Sequence, residues 1–98
     1  MVEKISQDWA VKVSSKAEKY ILKLARPVRE RVIEELKALS KYEDPLQHPD
    51  TRSLTGPLKG MHRLRIAGYR VIFELIKDKE KRIIAVVTVA PRGDVYKK

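Results

Sequence analysis

Residues 62–74, HRLRIAGYRVIFE, decide the fold, because apolar and charged side chains alternate on both sides of the small pair Ala67–Gly68. Such alternation predicts two strands, and a small pair containing glycine predicts a tight hairpin turn between them. In that register Arg65 lies directly opposite Arg70, and Arg63 shares their face because side chains alternate along a strand. The other face is apolar and predicted to be core; it holds Leu64, Ile66, Tyr69 and Val71.

The arginines of this hairpin need a partner, because like charges directly opposite on neighbouring strands destabilise a sheet, by about 0.2–1 kcal/mol. Residues 51–73 include no Asp or Glu, so the adjoining sequence supplies no carboxylate. A guanidinium presents a rigid fork of donors that matches phosphate oxygens, which favours a bound phosphate. The alternatives are solvation, pairing with Glu74, or pairing with the acids of a preceding helical segment, Glu30, Glu34 and Glu35.

The segments before the hairpin predict a strand and two helices. Residues 9–13, WAVKV, alternate as a short strand does. Ser14 and Ser15 then offer an N-cap, and apolar residues recur every three or four positions from Lys16 to Leu24. Pro27 suits the first turn of a second helix, which the sequence YEDP at residues 42–45 ends. Residues 46–60 are predicted to form a long loop that contains Pro, Gly and Thr.

The segment after the hairpin, RIIAVVTVA from Arg82 to Ala90, is almost continuously apolar. It is predicted to be the central strand of the sheet, covered on both faces. The change from helical to strand periodicity near Pro45 predicts an α+β fold, with two N-terminal helices packed on one face of a small antiparallel sheet. A chain of 98 residues has room for one core, so residues 1–98 are predicted to form a single domain.

Composition narrows the classes of function. The formal net charge of +9 and a pI near 9.9 favour a polyanionic partner such as nucleic acid. Cysteine is absent and there are two histidines, so no disulfide, metal site or cofactor is predicted. The N-terminal residues lack the apolar run of a signal peptide, and no segment has the ~20 apolar residues of a membrane span. We therefore expect a cytoplasmic protein with no membrane partner.

The order and spacing of these motifs resemble those of the RelE toxins, which occur in bacterial and archaeal toxin–antitoxin pairs. The resemblance rests on LKGMHRLRIAGYRVIFEL (58–75) followed by IIAVVTVAPRGDVYK (83–97), and the two preceding helical segments also fit. It implies the RelE-like fold, an endoribonuclease that cleaves mRNA in the ribosomal A site by metal-free 2′-hydroxyl attack, and silencing by a RelB-like antitoxin with an acidic segment.

The resemblance implies five site residues. Arg63 and Arg65 match two basic residues, usually lysines in the family, that line the scissile phosphate. Arg70 matches an arginine that stabilises the charged transition state, Arg92 matches one proposed to protonate the leaving oxygen, and Tyr96 matches a tyrosine that stacks on an mRNA base. Because arginine stays protonated at neutral pH, arginines at positions 63 and 65 remove the obvious candidate for a general base.

Other basic, histidine and aromatic residues are assigned from their charge or their position in the predicted elements. The basic residues expected to bind RNA or the ribosome are Arg52, Lys59, Lys97 and Lys98. His62 shares the strand parity of Leu64, so we interpret it as a packed histidine rather than a base. The aromatic residues expected in or beside the core are Trp9, Tyr20 and Tyr42.

Two other functions remain open. A ParE-like inhibitor, which binds DNA gyrase, shares this fold, but it would not need Arg65, Arg70, Arg92 and Tyr96 together. Their joint presence favours the ribonuclease. A non-catalytic RNA-binding domain or a decayed toxin would keep the fold and the charge, and the sequence leaves this alternative open.

Overall fold

The computed structural model describes residues 8–91, which form two helices and a five-stranded sheet. In chain order the elements are β1 (Ala10–Val13), α1 (Ser15–Leu22), α2 (Arg26–Ser40), β2 (Thr51–Ser53), β3 (His62–Ile66), β4 (Tyr69–Lys77) and β5 (Arg82–Pro91). Single 3-10 turns at Pro45–Gln47 and Gly56–Leu58 flank β2. Neither helix within residues 8–91 is long and apolar enough to cross a membrane.

The helices begin where the sequence predicts. Ser14 is the N-cap of α1, and its hydroxyl accepts a hydrogen bond from the Ala17 amide at 3.0 Å. Pro27 lies in the first turn of α2, where a helix does not use the amide hydrogen that proline lacks. The apolar stripe of α2 is buried at Val32, Leu36 and Leu39. Both helices therefore present one apolar side to the rest of the chain.

The sheet has the strand order β1-β5-β4-β3-β2. The α+β class is as predicted, and β1 forms within the strand predicted at residues 9–13, but β1 runs parallel to β5 while the other pairs are antiparallel. A purely antiparallel sheet was therefore the wrong prediction. The middle strand is β4 rather than β5, because β1 pairs along the outer edge of β5. This pairing joins Ala10 to Ile83, too far apart in sequence for local periodicity to reveal it.

The hairpin confirms the predicted register. Arg65 lies directly opposite Arg70, and Ile66 pairs with Tyr69. Ala67 and Gly68 have φ angles of 49° and 84°, so both occupy the left-handed region that a two-residue type I′ turn requires. This turn fixes which side chains of β3 and β4 share a face.

Both helices cover the same face of the sheet. The core cluster joins buried residues of the helices to those of the strands, among them Ala17, Leu39, Leu64 and Phe73, each 0% exposed. On the opposite face β5 carries Ala85 and Thr88, which are only half-buried. The prediction that β5 is covered on both faces is therefore wrong.

Candidate functional site

Four arginines lie on the face of the sheet that the helices leave uncovered. Arg52 of β2 is directly opposite Arg63 of β3, and Arg65 of β3 is directly opposite Arg70 of β4. Alternation along the strands puts all four on the side opposite to Leu64, which belongs to the core. We call these four residues the arginine face. Three of them, Arg63, Arg65 and Arg70, are among the four catalytic arginines expected from the sequence, and Arg52 was expected to bind RNA or the ribosome.

The arginine face consists of two adjacent rows across the sheet. One row contains Asp50, Arg65 and Arg70, and the next contains Arg52, Arg63 and Ile72. Neighbouring strands are about 4.8 Å apart, and positions two residues apart along a strand are separated by about 7 Å. Four long side chains at these spacings can converge on one phosphate or contact two successive phosphates.

Burial differs within the arginine face. Arg52 and Arg65 are exposed, whereas Arg63 and Arg70 are half-buried, and the Nε atom of Arg70 has no solvent contact. Ile72 is 1% exposed but lies outside the core cluster, so it forms an apolar floor on this side of the sheet. An apolar floor lowers the local dielectric constant and strengthens the attraction between the guanidinium groups and a bound anion.

Asp50 contacts the arginine face through Arg65. The Arg65 amide donates a hydrogen bond to the Asp50 carbonyl at 3.0 Å, and Nη2 of Arg65 lies 3.9 Å from Oδ1 of Asp50. The two side chains are 54% and 47% exposed, so this ion pair contributes little to stability. The Asp50 carboxylate is thus held beside Arg65 while it remains accessible from solvent.

The carboxylates that the sequence offered as alternative partners do not neutralise the arginine face. Glu30 pairs within its own helix at 2.9 Å, and Oε1 of Glu35 lies 3.3 Å from Nε2 of His48. No ion pair among residues 8–91 joins Glu34 or Glu74 to an arginine, although Glu74 does lie on this side of β4. Pairing with the acids of α2 or with Glu74 was therefore the wrong expectation for the described residues.

His48 anchors the segment that carries Asp50. The Asp50 amide donates a hydrogen bond to Nδ1 of His48 at 3.0 Å, and the Thr51 hydroxyl donates to the His48 carbonyl at 2.8 Å. The His48 side chain is 7% exposed, lies beside Glu35, and packs on the Tyr42 ring with a centroid separation of 5.4 Å. A neutral ring that carries its hydrogen on Nε2 satisfies both nitrogen contacts. The start of β2 is thereby fixed to α2.

His62 packs toward the core side of the sheet, as its parity predicts. It is paired with Phe73, with ring centroids 5.5 Å apart, and its Nδ1 lies 3.0 Å from the Ser53 hydroxyl oxygen. Burial lowers the pKa of His62 below 6.5, and the negative charge of Asp44 opposes this shift. His62 therefore faces away from the arginine face and is no candidate base for it.

The remaining predicted residues fall elsewhere. Lys59 lies in the exposed turn before β3 rather than on the sheet. Four predicted site residues lie outside the described residues: Arg92, Tyr96, Lys97 and Lys98. The aromatic residues expected near the core are buried or half-buried: Trp9, Tyr20 and Tyr42. In the part of the chain that the structure describes, no group of three or more His, Asp or Glu side chains is placed to hold a metal ion.

Two features of the site were missed in the sequence. Residues 46–60 were predicted as a loop, but Thr51–Ser53 forms the short strand that puts Arg52 opposite Arg63. Three residues are too few for a periodicity to be recognised. Asp50 escaped notice because it lies one residue before the acid-free stretch, and because its position beside Arg65 depends on the pairing of β2 with β3.

Comparison with known proteins identifies the family. Residues 11–96 match the sequence model of a protein family that is described as the ParE toxin of the type II toxin–antitoxin system parDE. A search of curated proteins finds no significant match.

Solved structures of toxins share the fold. The toxin–antitoxin complex RelBE2 of Mycobacterium tuberculosis is 21% identical with a TM-score of 0.70, covering 87% of this chain and 99% of that one. The archaeal RelE–RelB complex of Pyrococcus horikoshii is 24% identical with a TM-score of 0.70, covering 89% and 98%. A free arginine-to-alanine mutant of the E. coli toxin RelE is 25% identical with a TM-score of 0.65, covering 91% and 87%. The chain therefore belongs to the ParE toxin family, within the RelE/ParE superfamily of type II toxin–antitoxin systems.

Proposed function

We propose that this toxin is a ribosome-dependent endoribonuclease that cleaves mRNA in the A site. The observation that supports the proposal is the arginine face, on which two arginine pairs stand directly opposite each other on the helix-free side of the sheet. Each such pair costs the sheet roughly 0.2–1 kcal/mol when no anion lies between the side chains. A phosphodiester would remove this repulsion and accept hydrogen bonds from several guanidinium groups at once.

The reaction that fits this site needs no metal ion. In RNA the 2′-hydroxyl attacks its own neighbouring phosphate, so the protein has to align the attack and stabilise the negative charge that develops on the phosphate oxygens. We expect Arg65 and Arg70, which lie directly opposite each other, to contact the scissile phosphate. Arg63 and Arg52 lie one row away. The products are a 2′,3′-cyclic phosphate and a 5′-hydroxyl.

Two further roles come from the resemblance to RelE toxins. Arg92 is proposed to protonate the leaving 5′ oxygen, and Tyr96 is proposed to stack on a base of the codon. Aromatic stacking on a base contributes about 1–3 kcal/mol and does not depend on base identity. A basic tail at Lys97 and Lys98 adds non-specific attraction to ribosomal RNA.

An antitoxin with an acidic segment is the proposed regulator. Two of the similar structures are toxin–antitoxin complexes, and in the complex from Pyrococcus horikoshii the antitoxin is RelB. A net charge of +9 favours a negatively charged partner, and the arginine face offers it four donors in two rows. Coverage of this face would exclude mRNA from the site.

Inhibition of DNA gyrase is the second candidate function, favoured by the match to a family described as ParE. A gyrase inhibitor acts by binding, so it has no requirement for arginines arranged around a phosphate. The two functions differ in their target, and the target can be assayed directly.

Primer extension on an mRNA in a translating extract, with and without the toxin, tests the proposal. The matched control is the same mRNA without its start codon, in the same extract. Cuts confined to codons of the translated mRNA support the ribonuclease. Unchanged mRNA together with inhibited supercoiling by purified gyrase would establish the ParE-like function, and no effect on either target would indicate a binding protein without activity.

A further inference from the structure

The arginine face poses a question of proton transfer. Attack by a 2′-hydroxyl requires a group that takes its proton, and a guanidinium does not lose its own proton near neutral pH. His62, the histidine adjacent to Arg63 in sequence, packs on the other side of the sheet against Phe73. Among the described residues, the carboxylates near the face are the groups that could take this proton.

Asp50 stands at the end of the row that continues through Arg65 and Arg70. Its Oδ1 atom is 3.9 Å from Nη2 of Arg65, so a phosphate held by Arg65 lies within reach of the same carboxylate. The side chain is 47% exposed, so a substrate on this face has access to it. Asp50 is also held by its backbone, because its amide bonds to His48 and its carbonyl accepts the Arg65 amide.

Glu74, the other acidic residue on this side of β4, is less well placed. It follows Arg70 by four residues, which corresponds to about 13 Å along a strand. The buried Ile72 lies between them on the same side of the strand. A carboxylate at that distance does not reach a phosphate held between Arg65 and Arg70.

We propose that Asp50 is the general base of the cleavage reaction, an inference that rests on the ribonuclease function proposed above. The 2′ O–H bond breaks and its proton moves to an Asp50 carboxylate oxygen, while the freed electron pair on O2′ forms a bond to phosphorus. The bond from phosphorus to the 5′ oxygen then breaks, and its electron pair stays on that oxygen. The 5′ oxygen receives a proton from solvent water, and Asp50 later returns its proton to solvent.

Arg65 has two partners in this mechanism. It orients the Asp50 carboxylate in the free toxin and donates to the phosphate when RNA is bound. RelE toxins usually have lysines at the positions of Arg63 and Arg65. In this toxin the Asp50 carboxylate would take the proton in place of a lysine amine. Residues 51–73 contain no Asp or Glu, and Asp50, directly before them, supplies the carboxylate.

The experiment compares Asp50→Asn with wild type in single-turnover cleavage on ribosomes that carry mRNA in the A site. Asparagine keeps the size and the backbone contacts but accepts no proton, so the cleavage rate should fall about 100-fold, as for loss of a general base. Toxin binding to the ribosome should stay the same or tighten, because Arg65 loses a competing carboxylate. We expect the wild-type rate to fall toward acidic pH, where a carboxylate base is protonated, and the rate of the variant not to fall.

Three further variants make the result specific. Glu30→Gln removes a carboxylate that is also paired with an arginine, but on α2, and should cleave at the wild-type rate. Glu74→Gln neutralises the other acid of this face and should also retain that rate. Asp50→Glu should cleave faster than Asp50→Asn, and its cleavage rate should still fall toward acidic pH. Thermal unfolding of each variant verifies that it is folded.

The outcomes separate this inference from the proposed function. If wild type does not cleave mRNA on the ribosome, the ribonuclease function itself is wrong. If wild type cleaves and Asp50→Asn cleaves equally fast, the ribonuclease stands and Asp50 is only a counter-ion of Arg65. Equal losses in Asp50→Asn and Glu74→Gln would also overturn the inference, because the effect would then follow the charge of the face and not the position of one carboxylate.

Discussion

The two faces of strand β3 differ in how their side chains contribute to the stability of the fold. Leu64 and Ile66 are 0% and 1% exposed beneath the helices. Arg63 and Arg65 lie on the other side, where Arg63 is opposite Arg52 of β2 and Arg65 is opposite Arg70 of β4. Burial of each large apolar side chain stabilises the fold by about 1.5–3 kcal/mol. Opposed like charges that nothing neutralises act against a sheet by roughly 0.2–1 kcal/mol. Stability explains the apolar face of the strand, and we interpret the arginine face as a functional surface.

The largest expected difference between the faces is in stability. Leu64→Ala should lower the free energy of unfolding by about 2–5 kcal/mol, since it leaves a cavity in a closely packed core. The adjacent substitution Arg65→Ala should change it by less than about 1 kcal/mol, because the side chain is half exposed. Urea unfolding followed by circular dichroism measures both. Similar losses for the two variants would mean that the arginine face is structural.

Loss of His48, which anchors the segment that carries Asp50, should have an intermediate effect on the free energy of unfolding. His48→Ala removes a buried ring and leaves the Asp50 amide and the Glu35 carboxylate without this partner, at a cost of about 1–3 kcal/mol. The matched control is Gln47→Ala at the adjacent exposed position, which should be nearly neutral. Urea unfolding of the two variants, measured together with cleavage, checks this. An unchanged midpoint for His48→Ala would show that the loop is held by other contacts.

A smaller effect, of opposite sign, is expected on the arginine face itself. Arg52→Thr removes the charge directly opposite Arg63 and introduces a residue that favours strands, so the free energy of unfolding should rise by up to about 1 kcal/mol. The gain should shrink at high salt, because salt screens the repulsion it relieves. Cleavage should fall at the same time. A loss of stability at low salt would indicate that the two arginines are not in repulsion.

The smallest expected effect concerns pH and the core side of the sheet. Burial lowers the pKa of His62 below 6.5, so the unfolded chain binds a proton before the folded protein does. The free energy of unfolding of wild type should therefore fall relative to His62→Gln as the pH drops through 6.5, until the folded histidine is also protonated. Urea unfolding of both proteins at several pH values measures the difference. A relative gain for wild type on acidification would mean that attraction to Asp44 outweighs burial.

The hairpin and its charge pattern were readable from the sequence because they depend on neighbours. Ala67–Gly68 set the turn, the turn set the register, and the register put Arg65 opposite Arg70. The two helices were also predicted, since Ser14, Pro27 and the apolar spacing are local signals. These elements place three of the four members of the arginine face.

The other features depend on contacts between distant segments. The parallel pairing of β1 with β5 and the middle position of β4 have no local signature. The strand that carries Arg52 exists because β3 offers it an edge, and Asp50 reaches Arg65 only through that pairing. The buried Ile72 was hidden for the same reason, because its sequence neighbours do not reveal what covers it.

The most direct test of a catalytic arginine face is single-turnover cleavage of mRNA on ribosomes by wild type and Arg70→Ala, with ribosome binding measured in parallel. Arg31→Ala, which removes an exposed arginine of α2, is the matched control. Arg70→Ala should lower the cleavage rate by two or more orders of magnitude, about 3 kcal/mol, because a preorganised donor to the transition state is lost. Its binding and the activity of Arg31→Ala should stay close to wild type. Cleavage by Arg70→Ala at the wild-type rate would contradict the account and leave the arginine face as a binding surface.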